Sequence, residues 1–141
     1  MTGNRVMNGT FLEVWIDGVS VAGLSGFTAK SEYQKSDVAM CGQMEIDSKK
    51  TGIKSKLSVT CHKIYTMNAD DVEQITNGVD QRHTVIGKLK DPDAYGAERV
   101  AFYNVSFDDF TFFDASANKN GSVSMSGTFT NFEFLDKVLQ V

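Results

Sequence analysis

Gly121-Ser122-Val123-Ser124-Met125-Ser126-Gly127-Thr128-Phe129-Thr130 alternates without a break. Hydroxyls occupy the even positions, and Val123, Met125, Gly127 and Phe129 the odd ones. A period of two marks a strand with one face on a core and the other on water. After Asn131 the apolar phase passes to Phe132 and Phe134, so a bulge or a change of burial partner is expected there. A similar slip occurs at Asp108-Asp109, where Tyr103, Val105 and Phe107 give way to Phe110 and Phe112. The reading is two long strands, Glu98 to Phe113 and Gly121 to Phe134, joined by residues 114–120.

The same alternation recurs upstream. Phe27, Ala29 and Tyr33 oppose Thr28, Lys30, Glu32 and Gln34. Ile53, Leu57, Val59 and Cys61 oppose Lys54, Lys56, Ser58, Thr60 and His62. Between these strands, Lys35 to Lys50 breaks the pattern with charges, Gly42 and an apolar knot of Val38, Met40, Cys41, Met44 and Ile46. Residues 1–10, with Gly3, Asn4, Asn8 and Gly9, read as a loose arm. Asp17-Gly18 is the strongest hairpin signal in the chain, between a strand over 11–16 and a return over 19–24. His83 to Leu89 is a further strand, and 90–97 a loop. One short helix is expected from Asn68 as N-cap to about Gly78, with Val72, Ile75 and Val79 as its apolar stripe.

Composition narrows the class. The chain has 141 residues, so it reads as a single domain, 1–141. Its 41% apolar and 23% charged residues fit a folded domain and exclude wholesale disorder. Pro92 is the only proline, which suits a sheet-rich chain. Eight of the ten phenylalanines lie beyond residue 101, so the last third carries much of the core. The net charge of −4 argues against capture of nucleic acid by long-range attraction. No apolar run approaches the roughly 20 residues of a membrane span, and no signal peptide is read at the start. Cys41 and Cys61 form no framework and point to a reducing compartment.

The pattern offers no catalytic constellation. His62 and His83 have no ligand-spaced partner, and the cysteines lack a CxxC spacing. Asp108 and Asp109, as strand neighbours, are expected on opposite faces and so form no dyad. No phosphate-cradling glycine loop, metal site or cofactor site is read.

The positive signal is a pair of polar rows. Thr28, Lys30 and Glu32 stand with Lys54, Lys56, Ser58 and Thr60. Asn104, Ser106 and Asp108 stand with Ser122, Ser124, Ser126, Thr128 and Thr130. If each strand pair is antiparallel, even positions meet even positions and each row is one surface. Such rows either meet bulk water, as in any sandwich, or line a water-filled channel built from several subunits. Long strands also leave edges that must be covered, and closing a ring abolishes them.

The order of elements resembles the tail tube proteins of contractile-tailed bacteriophages, including those of defective-prophage and bacteriocin particles of Gram-positive bacteria. The segments carrying the resemblance are Asn8 to Gly18, Phe27 to Tyr33, Lys35 to Gly42, Lys49 to Thr60 and Glu98 to Phe107. It implies a mainly β fold, a β-sandwich or half-barrel of long antiparallel strands with one flanking helix. Six subunits would close a ring-shaped β-barrel, and rings would stack into a tube. The two polar rows would face its lumen, through which DNA would pass transiently. The loop Lys35 to Lys50 would reach the neighbouring ring through Lys35, Asp37, Val38, Met40, Met44, Ile46, Lys49 and Lys50; otherwise its apolar knot tucks under its own domain. Lys30, Lys54 and Lys56 need counter-charge from Glu32 and acidic groups of adjacent subunits, or the first hairpin faces the other way. The implied partners are a sheath protein, a baseplate or tube initiator, a tail terminator, and a tape measure protein in the lumen during assembly. The implied location is the tail of a virion or tail-like particle assembled in the bacterial cytoplasm. Competing readings are a monomeric β-barrel binding module and a secretion tube carrying effector proteins.

Overall fold

The computed structural model describes residues 2–65 and 77–140. The helix expected over 68–78 falls mainly outside them. Nine strands are present among the described residues: β1 (Leu12–Ile16), β2 (Val19–Ser20), β3 (Leu24–Val38), β4 (Asp47–His62), β5 (His83–Leu89), β6 (Glu98–Phe110), β7 (Asp114–Ser116), β8 (Lys119–Phe129) and β9 (Asn131–Asp136). They form one antiparallel sheet in the order β2-β1-β5-β6-β8-β4-β3, with β9 added to β6 and β7 to β8.

The hairpin at Asp17-Gly18 forms as expected. Both residues have positive φ, 52° and 83°, the conformation that lets a two-residue turn follow the strand twist. Its return strand is shorter than expected, because the chain leaves the ladder after Ser20.

β6 is the spine. Its first half lies between β5 and β9, and its second half pairs with β8. Asn104 marks the joint, with φ 58°, and its Nδ2 donates to Thr130 Oγ1 at 2.8 Å. Thr130 is itself the joint between β8 and β9. The two runs therefore bend together, and the single strand expected over 121–134 is two. That is the physical cause of the phase switch at Asn131: β8 pairs with β4 and the second half of β6, whereas β9 pairs with its first half. The strand expected over 98–113 likewise ends at Phe110, where the chain turns toward β7.

The bend rolls the sheet over a core. Val14, Ile16 and Val85 come from one end of the sheet, and Leu57, Val59, Met125 and Phe129 from the other. Phe102 joins the halves, with ring centroids 5.9 Å from Phe27 and 4.8 Å from Phe129. Tilted ring pairs at such distances add to what burial alone contributes. The roll stays open: the described residues show no ladder joining β3 to β2 or β9.

The N-terminal arm is tied down rather than loose. Two 3-10 turns, Gly3–Arg5 and Gly9–Phe11, carry it past the loop 90–97. The Asn8 backbone N–H donates to Asp91 Oδ2 at 2.8 Å, and Asp93 N–H donates to Oδ1 of the same carboxylate at 2.9 Å. Arg5 donates to the Asp93 carbonyl and lies over the Tyr95 ring, 4.9 Å from its centroid. Asp91 is buried. Asp91→Ala strands two backbone donors, so it is expected to cost about 1–3 kcal/mol. Amide exchange of residues 6–11 should rise far more than that of β8; equal changes would show that the clip supports the whole fold.

Candidate functional site

β4 joins the two polar rows into one surface. It pairs with β3 on one side and β8 on the other, and β8 pairs with β6. The rungs run straight across: Lys30, Lys56, Thr128 and Ser106 stand on one, and Thr28, Ser58 and Ser126 on the next. Thr60 pairs with Ser124, and His62 with Ser122. Behind this face the odd positions Leu57, Val59, Cys61, Val123, Met125 and Phe129 are all buried. The β3–β4 hairpin thus presents its polar row on the same side as β8.

The face is held by its own hydroxyls. Thr111 Oγ1 and Ser124 Oγ are 3.2 Å apart, and Lys30 Nζ lies 3.0 Å from Glu32 Oε1. Lys30, by hydrogen bond and charge, and then Lys56 and Lys54 hold the Glu32 carboxyl below the usual carboxylate range. Asn104 and Thr130 stand at the bend, at the margin of the face.

The slip at Asp108-Asp109 is a true register shift against β8, between Phe107 and Asp109. It overturns the expectation that these carboxylates point apart. Asp109 Oδ1 accepts from Ser126 N–H at 3.0 Å and from Ser126 Oγ at 2.8 Å. Asp108 lines a shallow groove of about 310 Å³ with Lys30, Lys56, Ser58 and Ser126. Strict alternation assigns one of the pair to the core; the extra residue returns both to the polar side. Asp109 and Thr111 are residues of this face that the sequence reading missed, and the phase slip at Asp108-Asp109 was the available signal.

The second feature is a ribbon. β3 and β4 remain paired beyond the core, through Lys35↔Lys50, Ser36↔Lys49, Asp37↔Ser48 and Val38↔Asp47. The segment expected as a loop over 35–50 is therefore strand at both ends, with only residues 39–46 as its tip. A shift between Gln34 and Lys35 leaves Thr51 without an opposite number. Tyr33 and Ile53 face each other on the side that continues the core, yet are 59% and 60% exposed. Lys50 Nζ caps the Tyr33 ring at 3.6 Å. At the tip, Met40, Met44 and Ile46 are exposed, so the apolar knot does not tuck under its own domain.

The remaining sulfur and imidazole groups lie elsewhere. Cys61 is buried, which pushes its thiol up despite Lys63 nearby, and Cys41 is exposed at the ribbon tip. His83 Nδ1 lies 2.6 Å from Asp17 Oδ2, beside the β1–β2 turn and not on the polar face.

The class of protein is thus an open roll of long antiparallel strands with a polar outer face and, among the described residues, edge strands that no further strand covers. The family model described as phage tail tube protein matches residues 1–136, and the chain belongs to that family. Solved structures agree on the fold. A chain in the extended sheath/tube terminator of the PVC extracellular contractile injection system superposes with a TM-score of 0.75 at 9% identity, covering 93% of this chain and 97% of that one. A chain in the anti-feeding prophage cap gives 0.75 at 9%, with 97% and 95% covered. A chain in the tail of an empty gene transfer agent particle, refined with C6 symmetry, gives 0.61 at 15%, with 93% and 100% covered. No curated protein matches at the level of sequence.

Proposed function

We propose that this tail tube protein acts as a structural protomer without catalysis or cofactor. Six copies close their open sheets into a ring whose inner wall is one β-barrel, and rings stack into a tube. The continuous polar face of β3, β4, β8 and β6 lines the bore, and DNA passes along it without lasting attachment. The ribbon tip, residues 39–46, seats on the next ring, aided by Lys35, Asp37, Val38, Lys49 and Lys50. A sheath surrounds the outside, an initiator and a terminator close the ends, and a tape measure protein fills the bore during assembly. The tube belongs to the tail of a virion or tail-like particle assembled in the bacterial cytoplasm.

The observation carrying this reading is a four-strand hydroxyl face, backed by a core and ending in edges that no strand among the described residues covers. A two-stranded ribbon is marginal alone in water, so its exposed Tyr33, Ile53, Met44 and Ile46 call for a covering surface. Negative-stain images of the concentrated protein are expected to show rings and tubes with a central bore. Met44→Asp and Ile46→Asp should abolish stacking and leave thermal melting of the protomer unchanged. Melting that falls together with assembly would place the tip in the protomer's own core.

A further inference from the structure

The polar face presents three ammonium groups on the ribbon side, Lys30, Lys54 and Lys56. Lys30 and Lys56 are directly opposite, an arrangement unfavourable for like charges. Glu32 is one counter-charge, 3.0 Å from Lys30. The bulge in β6 supplies two more carboxylates on the same side. Asp109 is fixed to Ser126 by two hydrogen bonds, and Asp108 shares a groove with Lys30 and Lys56. Asp80, which accepts from Ser106 Oγ, is itself paired with Arg82 at 2.6 Å and adds no net charge.

We infer that the bulge at Asp108-Asp109 makes the bore charge-neutral, so that these two residues determine whether a polyanion inside it moves or is retained. The inference rests on the bore assignment above. Lys30, Lys56 and Asp108 line one groove, and charges are screened only beyond about 8 Å at physiological salt, so a phosphate entering that groove meets the lysines together with their carboxylate. Remove the carboxylates and the lysines are left to displace counterions from the nucleic acid. The bulge has this role only because it turns both side chains the same way. A regular strand would send one of them into the core.

The test uses assembled tubes of the wild-type protein and of a double variant, Asp108→Asn with Asp109→Asn. The amide that Asp109→Asn introduces keeps an oxygen able to accept from Ser126. Co-sedimentation is measured with a linear duplex and with a covalently closed circular plasmid, which has no end to thread. Wild-type tubes are expected to carry down neither. Variant tubes should carry down the linear duplex at about 50 mM salt and lose at least about tenfold in affinity by about 200 mM. Variant tubes that carry down neither DNA overturn the charge proposal and leave the bore assignment standing. Equal retention of the plasmid puts the face on the exterior and overturns the bore assignment. If the double variant does not assemble, Asp108→Asn alone leaves the Asp109–Ser126 bonds in place and should show the same ordering with a smaller change. No retention of linear duplex by that variant's tubes also overturns the charge proposal.

Discussion

Phe129→Ala is expected to lower the stability of the protomer by about 3–5 kcal/mol. Phe129 is 5% exposed, and its ring packs 4.8 Å from that of Phe102. It is the last inward residue of β8 before the bend at Thr130, so its removal opens a void at the junction of the two halves. Neither half can collapse into that void alone, because Asn104 and Thr130 hold the two bends together. The measurement is urea unfolding in a Met44→Asp background, so that assembly does not add its own stabilisation. A loss under about 1 kcal/mol would show that β8 does not bury its odd positions as the structure has them.

Gly127→Ala should also destabilise strongly, and Gly127→Val more so. A Cβ at Gly127 runs into the Ser106 carbonyl oxygen and comes within 2.9 Å of Phe107 Cα. Both are backbone atoms of the neighbouring strand, so no side-chain rotation relieves the collision. β6 and β8 must separate at the very place where the register shift sits. The expected cost for alanine is at least the roughly 1–3 kcal/mol typical of overpacking, and valine should leave little soluble folded protein. Gly26→Ala is the control, since a Cβ there meets nothing within 4 Å. Equal effects at the two positions would mean that glycine's backbone freedom, and not the close approach of the strands, sets the cost.

The sequence could be read wherever the protomer buries one face of a strand. The alternation of Val123, Met125, Gly127 and Phe129 is the burial pattern of β8, and Asp17-Gly18 turns as its residue types require. The even-with-even pairing of Thr28↔Ser58, Lys30↔Lys56 and Glu32↔Lys54 was legible for the same reason. The extension of β3 and β4 through Val38 and Asp47 was not, because the protomer covers neither face there and hydrophobic periodicity records only burial. The Asp91 clip was hidden for a different reason. It joins Asn8 to a carboxylate 83 residues away, and no local pattern announces such a bond. The charge of the polar face was half legible: the phase slip was visible, but alternation alone assigned its two aspartates to opposite sides.

The outer edge of β3 has its own consequence for anyone handling the protein. Along this 15-residue strand, every second residue turns a backbone donor and acceptor to the outer edge, where no strand among the described residues takes them up. An unpaired edge of this kind is a template for another extended chain, so concentration and time are expected to favour lateral annealing. Keeping stocks dilute, or supplying a short strand-forming peptide as a removable guard, should preserve a uniform starting material.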